Sequence, residues 1–125
     1  MSQTDLRFAK THEWVRVEGN EAVIGLSDYA QGELGDIVFV ELPDVGSTVS
    51  KGDSVTTVES VKSVSEVYAP LTGTVTAVND ALDAEPGKIN SDAQGEGWIM
   101  RVGFSSPEEL DDLMSSAEYE EFTKG

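Results

Sequence analysis

The residues best placed to do chemistry lie in one central stretch. Val55 to Val75 reads V-T-T-V-E-S-V-K-S-V-S-E-V-Y-A-P-L-T-G-T-V. Val55–Ser60 and Ser63–Tyr68 both suit strands, and Val61 and Lys62 stand between them. Two strands joined by two residues make a tight hairpin, so Lys62 falls at its tip and projects into water. A lysine that reacts as a nucleophile usually needs a buried site to lower its pKa, and a hairpin tip offers none. It suits a different role. An exposed amine on a rigid tip can be presented to a modifying enzyme, and acylation would remove its charge. The plainer alternative is a lysine that keeps a sheet edge soluble; the residues alone leave both open.

Other candidates are few. His12 is the single histidine and there is no cysteine. A multi-histidine or His/Cys metal site therefore cannot be assembled, and packing or hydrogen bonding is the expected role of His12. Glu13, beside it in H-E-W, reads in general terms as a surface carboxylate. Glu59, three residues before Lys62, reads either as a solvated strand residue or as one that orients the hairpin. Trp14 and Trp98 suit packing at the core or the end of a barrel. Gly46, Gly52, Gly73 and Gly87 read as turn formers, and none belongs to a phosphate-cradling motif. No catalytic constellation is visible, which disfavours a freestanding enzyme.

The elements that must position the hairpin follow from hydrophobic rhythm. From Thr11 to Val102 the chain alternates with a period of two, broken by regular turn signals. Trp14–Val17, a Gly19-Asn20 turn and Ala22–Leu26 predict a hairpin. Ser27 is placed to cap a short helical turn that ends near Gly32 or Gly35. Asp36–Leu42 predicts a strand stopped by Pro43, and Trp98–Phe104 a closing strand. Strands so closely spaced point to a small β-barrel or sandwich. V-G-S-T-V-S-K-G-D is echoed 26 residues later by L-T-G-T-V-T-A-V-N-D, as two similar β-units flanking Lys62 would require. The last twenty residues change period. Ser106-Pro107-Glu108-Glu109 predicts a capping box, and Ser116 a second short helix carrying Tyr119 and Phe122.

Bulk properties narrow the function classes. The 125 residues suffice for one domain and not two. A net charge of −16, from 24 acidic and 8 basic residues, repels phosphate backbones and anionic membranes, so neither nucleic acid nor membrane is an expected partner. Solubility, guidance toward basic partner surfaces and a high-salt habitat all fit such acidity. The opening M-S-Q-T-D-L-R-F has no signal-peptide pattern, and no apolar run approaches membrane-spanning length. A bacterial cytoplasm is expected, or a mitochondrial matrix if the chain is eukaryotic with its presequence removed.

The order of motifs around Lys62 resembles the biotinyl/lipoyl carrier signature: a Gly52-Asp53 turn, Glu59 three residues before the lysine, and Ala69-Pro70-x-x-Gly73. Biotin carriers typically read A-M-K-M at the lysine and the lipoyl domains of 2-oxoacid dehydrogenases T-D-K-A. E-S-V-K-S-V instead resembles the E-S-V-K-A-V of glycine cleavage H-proteins, with Ser63 for the usual Ala. L-R-F-A-K-T-H-E-W-V, S-D-Y-A-Q, L-G-D-I-V-F-V-E-L-P, G-E-G-W-I-M, S-P-E-E-L-D-D-L-M and A-E-Y-E extend the resemblance from Leu6 to Phe122. One departure is Ala93-Gln94, where the family commonly carries Pro-Tyr.

This resemblance implies a mainly β barrel-sandwich hybrid with short C-terminal helices: one carrier domain over residues 1–125, its barrel about 11–104 and its helical segment about 106–123. It implies lipoate joined to Lys62 by an amide, and a carrier rather than a catalyst. The implied role is to shuttle an aminomethyl group from glycine decarboxylase (P-protein) to aminomethyltransferase (T-protein). Dihydrolipoyl dehydrogenase (L-protein) then reoxidises the arm. A lipoate ligase or lipoyltransferase is the implied modifying partner, and a monomer is expected. Within this family reading Glu13 is a candidate for holding the loaded arm's ammonium, and Glu59 for recognition by the ligase. Two alternatives stand beside it: an H-like protein that relays lipoate or serves as an interaction partner, and a biotin carrier.

Overall fold

The computed structural model describes residues 6–124. Its strands are β1 (Arg7–Phe8), β2 (Glu13–Glu18), β3 (Glu21–Leu26), β4 (Ile37–Val40), β5 (Thr48–Val49), β6 (Ser54–Ser60), β7 (Val64–Tyr68), β8 (Gly73–Val78), β9 (Met100–Phe104) and β10 (Met114–Ser115). Its helices are α1 (Asp28–Leu34), α2 (Ala81–Ala84), α3 (Lys88–Asp92) and α4 (Ser116–Lys124), with a 3-10 turn over Pro107–Asp112. The protein is mainly β. Seven strands form one sheet in the order β10-β1-β2-β3-β9-β8-β5, and β4-β6-β7 form a second. The β-rich sandwich with a short C-terminal helix is thus as its sequence implies, built from two open sheets.

Alternation decides what faces inward. Ile24, Val75 and Val102 of the larger sheet and Ile37, Val40, Val58 and Val67 of the smaller share one apolar cluster. A second cluster joins Phe8, Trp14, Val23 and Tyr119 under α4. Trp14 is fully buried, and its indole N–H donates to the Ala93 carbonyl at 2.8 Å. That ring needs Gly25, its register partner on β3; a Cβ there would meet Trp14 Nε1 at 2.8 Å. The sequence echo also has a physical basis, because Thr48 of the first copy pairs with Thr74 of the second.

Three local expectations are corrected. Helices α2 and α3 fall within the Thr11–Val102 stretch read as strands and turns, on either side of the turn expected at Gly87. Each is four or five residues long, too short for helical periodicity to show, and each is anchored by one buried side chain, Leu82 or Ile89. The Ser106 capping box does not form. The segment winds as a 3-10 turn and the Ser106 side chain makes no capping bond; Glu109 instead accepts from Thr72 N at 2.7 Å and Thr72 Oγ1 at 2.8 Å. A capping box does form at Ser115, one residue before the expected Ser116. Ser115 Oγ accepts from Glu118 N at 3.2 Å, and Glu118 Oε1 accepts from Ser115 N at 2.9 Å.

Two glycine substitutions should separate packing from propensity. Gly25→Ala drives a methyl into the immobile Trp14 ring and should cost about 1–3 kcal/mol. Gly32→Ala, on α1 with nothing within 4 Å of the new Cβ, should stabilise by roughly 0.5–1 kcal/mol. Denaturant unfolding measures both. A neutral Gly25→Ala would show that the Trp14 contact is loose.

Candidate functional site

The hairpin tip is shaped by one hydroxyl. Ser60 N donates to Ser63 O at 2.8 Å, closing a two-residue turn over Val61 and Lys62. Ser60 Oγ accepts from Lys62 N at 3.2 Å and from Ser63 N at 3.0 Å, and donates to Ser63 O at 3.2 Å. It thus uses its full capacity of one donor and two acceptor sites. Val61 N donates to the Asp36 carbonyl at 3.0 Å, tying the tip to the start of β4. Lys62 is exposed, as the hairpin reading requires.

Gly35 gives the lysine a backrest. It ends α1 with φ 78° and ψ −156°, its N–H returning to Gln31 O at 3.0 Å, a positive-φ conformation that only glycine adopts without strain. A Cβ there would stand 3.3 Å from Lys62 Cε. Asn90 of α3 fixes this corner. Its Nδ2 donates to Gly35 O at 2.8 Å and Gln31 Oε1 at 3.0 Å, and its Oδ1 accepts from Ile37 N at 2.8 Å. Sequence reasoning missed Asn90, because its partners lie 53 to 59 residues away and no local pattern marks it. The role of Ser60 was legible only as a polar residue at a strand end.

Glu13 is not the surface carboxylate that the general reading expected; it is fully buried. Oε1 accepts from the Thr11 hydroxyl and Oε2 from the Tyr68 amide at 3.1 Å. Burial pushes the carboxyl up from its ordinary 4.5 to about 7, against the lowering effect of these donors. Glu59 stands on β6 between Phe39 of β4 and Val64 of β7, half-buried. His12 sits at φ 77°. Its Nδ1 shares a 2.6 Å hydrogen bond with the Tyr119 hydroxyl, which also bonds Ser27 Oγ at 2.7 Å. Desolvation lowers the His12 pKa, partly offset by Glu33.

A cleft of about 270 Å³ lies between α1 and β7, its lining including Thr11, His12, Leu26, Leu34 and Ser65. Leu34 precedes Gly35, against which Lys62 rests, while Thr11 is the donor to Glu13. Ser65 is three residues along the strand from Lys62, about 10 Å at the usual rise. The structure therefore brings the lysine, a partly apolar groove and the buried carboxyl into one region, with Glu59 on the opposite, outward face of the hairpin sheet.

Comparison with known proteins decides what this arrangement belongs to. The sequence model of the family described as "Glycine cleavage H-protein" matches residues 6–125. The chain belongs to the glycine cleavage H-protein family. It is 53% identical over 119 residues to a glycine cleavage system H protein of Xanthobacter autotrophicus, covering 95% of each chain. It is 54% identical over 118 residues to that of Xanthomonas campestris pv. campestris, covering 94% of this chain and 90% of the relative. The crystal structure of a glycine cleavage system H protein from Mycobacterium marinum superimposes with a TM-score of 0.89 at 34% identity, covering 98% of both chains. Among the described residues of this family member, no helix is long and apolar enough to cross a membrane.

The Glu13 carboxyl carries a sign that can be tested. Its folded pKa lies above that of the unfolded chain, so the native state holds the proton more tightly. The associated stability is complete below pH 4.5 and is lost as pH rises through about 7. This separation is worth on the order of 3 kcal/mol. Unfolding curves from about pH 4.5 to about pH 8 should show the wild type losing that much relative to Glu13→Gln. Parallel curves would mean that Glu13 ionises freely.

Proposed function

We propose that this H-protein family member carries lipoate on Lys62 and shuttles an aminomethyl group between enzymes of glycine cleavage. The observation that carries the proposal is the exposed Lys62 at the tip of a fixed two-residue turn. The residues fit the group. The amine is exposed, no protein thiol is present to exchange with a carried dithiol, and a cleft whose lining includes Leu26 and Leu34 reaches the residue before Gly35, on which the lysine rests. When bound, lipoate supplies a cyclic disulfide whose sulfur accepts the one-carbon unit and which is restored by oxidation. P-protein would load the carrier, T-protein unload it and L-protein reoxidise it; a lipoate ligase or lipoyltransferase would install the group. The chain itself is then a carrier and not a catalyst.

The protein's own part is presentation and shelter. Ser60, the Asp36 carbonyl and Gly35 hold the base of the arm. Leu26 and Leu34 offer it an apolar wall. Glu13, behind Thr11, supplies a carboxyl that an arriving ammonium would draw into its ionised form. Rotation of the Thr11 hydroxyl away from Oε1 would open that oxygen to the cleft. A charge-assisted hydrogen bond of this kind is worth roughly 1.5–3 kcal/mol, enough to shift the docked population about tenfold. Glu59, on the outer face, is assigned to recognition by the modifying enzyme.

Treatment with a lipoate ligase should label Lys62 alone, leaving Lys10, Lys51, Lys88 and Lys124 unmodified on peptide mapping. Lys62→Arg should keep the fold and abolish carrier activity. Biotin protein ligase should leave the chain unlabelled; efficient biotinylation would overturn the lipoyl assignment in favour of a biotin carrier. Label spread over several lysines would refute the single attachment site. A separate measurement addresses shelter. Glu13→Gln should be lipoylated normally yet release ammonia from the loaded carrier about tenfold faster in the absence of T-protein. Equal release rates would remove Glu13 from the docking site and leave Lys62 untouched.

A further inference from the structure

The outer face of the three-stranded sheet carries an apolar row that neither the core nor the cleft uses. Phe39 pairs with Glu59 and Glu59 with Val64, so three side chains cross the sheet in one line beside the Lys62 turn. The ladder is irregular between Ile37 and Phe39: Val38 and Phe39 together stand where one residue would normally oppose β6. A bulge re-aims side chains in this way, and both residues are turned to solvent, at 53% and 48% exposure. Val61 and Val64 are 67% and 64% exposed. Four of the eight large apolar side chains exposed among the described residues therefore gather around one lysine. Scattered exposed hydrophobics need no explanation, but a contiguous group rimmed by charge marks an interaction surface.

The identity of the occupant follows from reach. An enzyme that handles a finished arm can stand off by the arm's length. An enzyme that makes the amide must bring the acyl carbon within bonding distance of Lys62 Nζ, so its surface has to rest on the turn and the side chains beside it. In that step the neutral amine attacks the acyl carbon of an activated donor such as an acyl adenylate. The C–N bond forms, the bond to the leaving phosphate ester breaks with its electron pair, and the amine loses a proton to water. Charge complementarity defines the rest of the contact. Asp36 stands beside the patch and Glu59 within it, on a chain of net charge −16, which favours basic groups on the partner.

We propose that Val38, Phe39, Val61 and Val64, with Glu59 among them, form the seat of the enzyme that acylates Lys62, and that this enzyme presents an apolar patch carrying basic groups beside its active-site mouth. The proposal rests on Lys62 being the attachment site. Initial rates with a purified lipoate ligase, lipoate and ATP, taken over a range of full-length protein concentrations, test it. Phe39→Ser and Val64→Ser should each raise KM for the protein by about tenfold and leave kcat within about twofold, as loss of an interface anchor does. Val45→Ser, an equally exposed valine before β5 on the other sheet, should leave both constants unchanged. Thermal unfolding of each variant establishes that it is folded. Unchanged KM in the folded Phe39→Ser and Val64→Ser variants would overturn the seat while leaving the attachment site standing. A wild-type chain that takes no label at Lys62 would overturn both.

Discussion

Where the two sheets come together, Glu13 begins β2 and yet spends its carboxyl on the end of β7, through the Tyr68 amide at 3.1 Å. A carboxyl taken this far from water is costly unless its oxygens are occupied. The Thr11 hydroxyl and the Tyr68 amide occupy them. The arrangement fixes one end of the hairpin strand against the larger sheet and leaves the other end, with Lys62, free to project. It also keeps a proton-binding group poised near neutrality directly behind the lining of the cleft beside that lysine. Anchoring and electrostatics are therefore one interaction here. A substitution at position 13 changes the seam between the sheets as well as the charge behind the groove.

At the projecting end, support is divided between near and far residues. Ser60 closes the turn locally, and the carbonyl of Asp36, the residue before β4, holds Val61. Gly35 leaves room for the lysine methylenes, and Asn90 locks the corner that contains it by bonding both Gly35 O and Ile37 N. These groups set the position of the turn from which the amine projects. That division suits the proposed carrier role, which would ask position and access of the lysine rather than reactivity.

The departures from the usual family pattern are tolerated for a similar reason. Ser63 stands where alanine is usual, but the turn uses its backbone N–H and C=O, which any residue supplies. Ala93 and Gln94 stand where Pro-Tyr is common. The contact that matters to Trp14 is the carbonyl of Ala93, while the Gln94 side chain accepts from Asp28 N at 2.9 Å, at the first residue of α1. At 34% identity to the Mycobacterium marinum protein the fold still superimposes closely. Backbone pairing and a few buried apolar positions carry it, and they accept many sequences.

Period-two alternation, turn residues and the order of motifs about Lys62 determined, by themselves, the β class, the hairpin with Lys62 at its tip, the Ser27 cap and the family. These are local or periodic properties, written within a few residues of where they act. The tertiary structure decided what depends on partners distant in the chain. It buried Glu13, which the chain around it reads as a surface carboxylate, because Tyr68 lies 55 residues away. It turned Glu109 from a helix cap into a clasp on Thr72, 37 residues distant. It gave Asn90 its role at the lysine's corner, and it drew Phe39, Glu59 and Val64 from three strands into one row. A residue's type states which bonds it can make; only the folded chain sets which partner is near enough to make them.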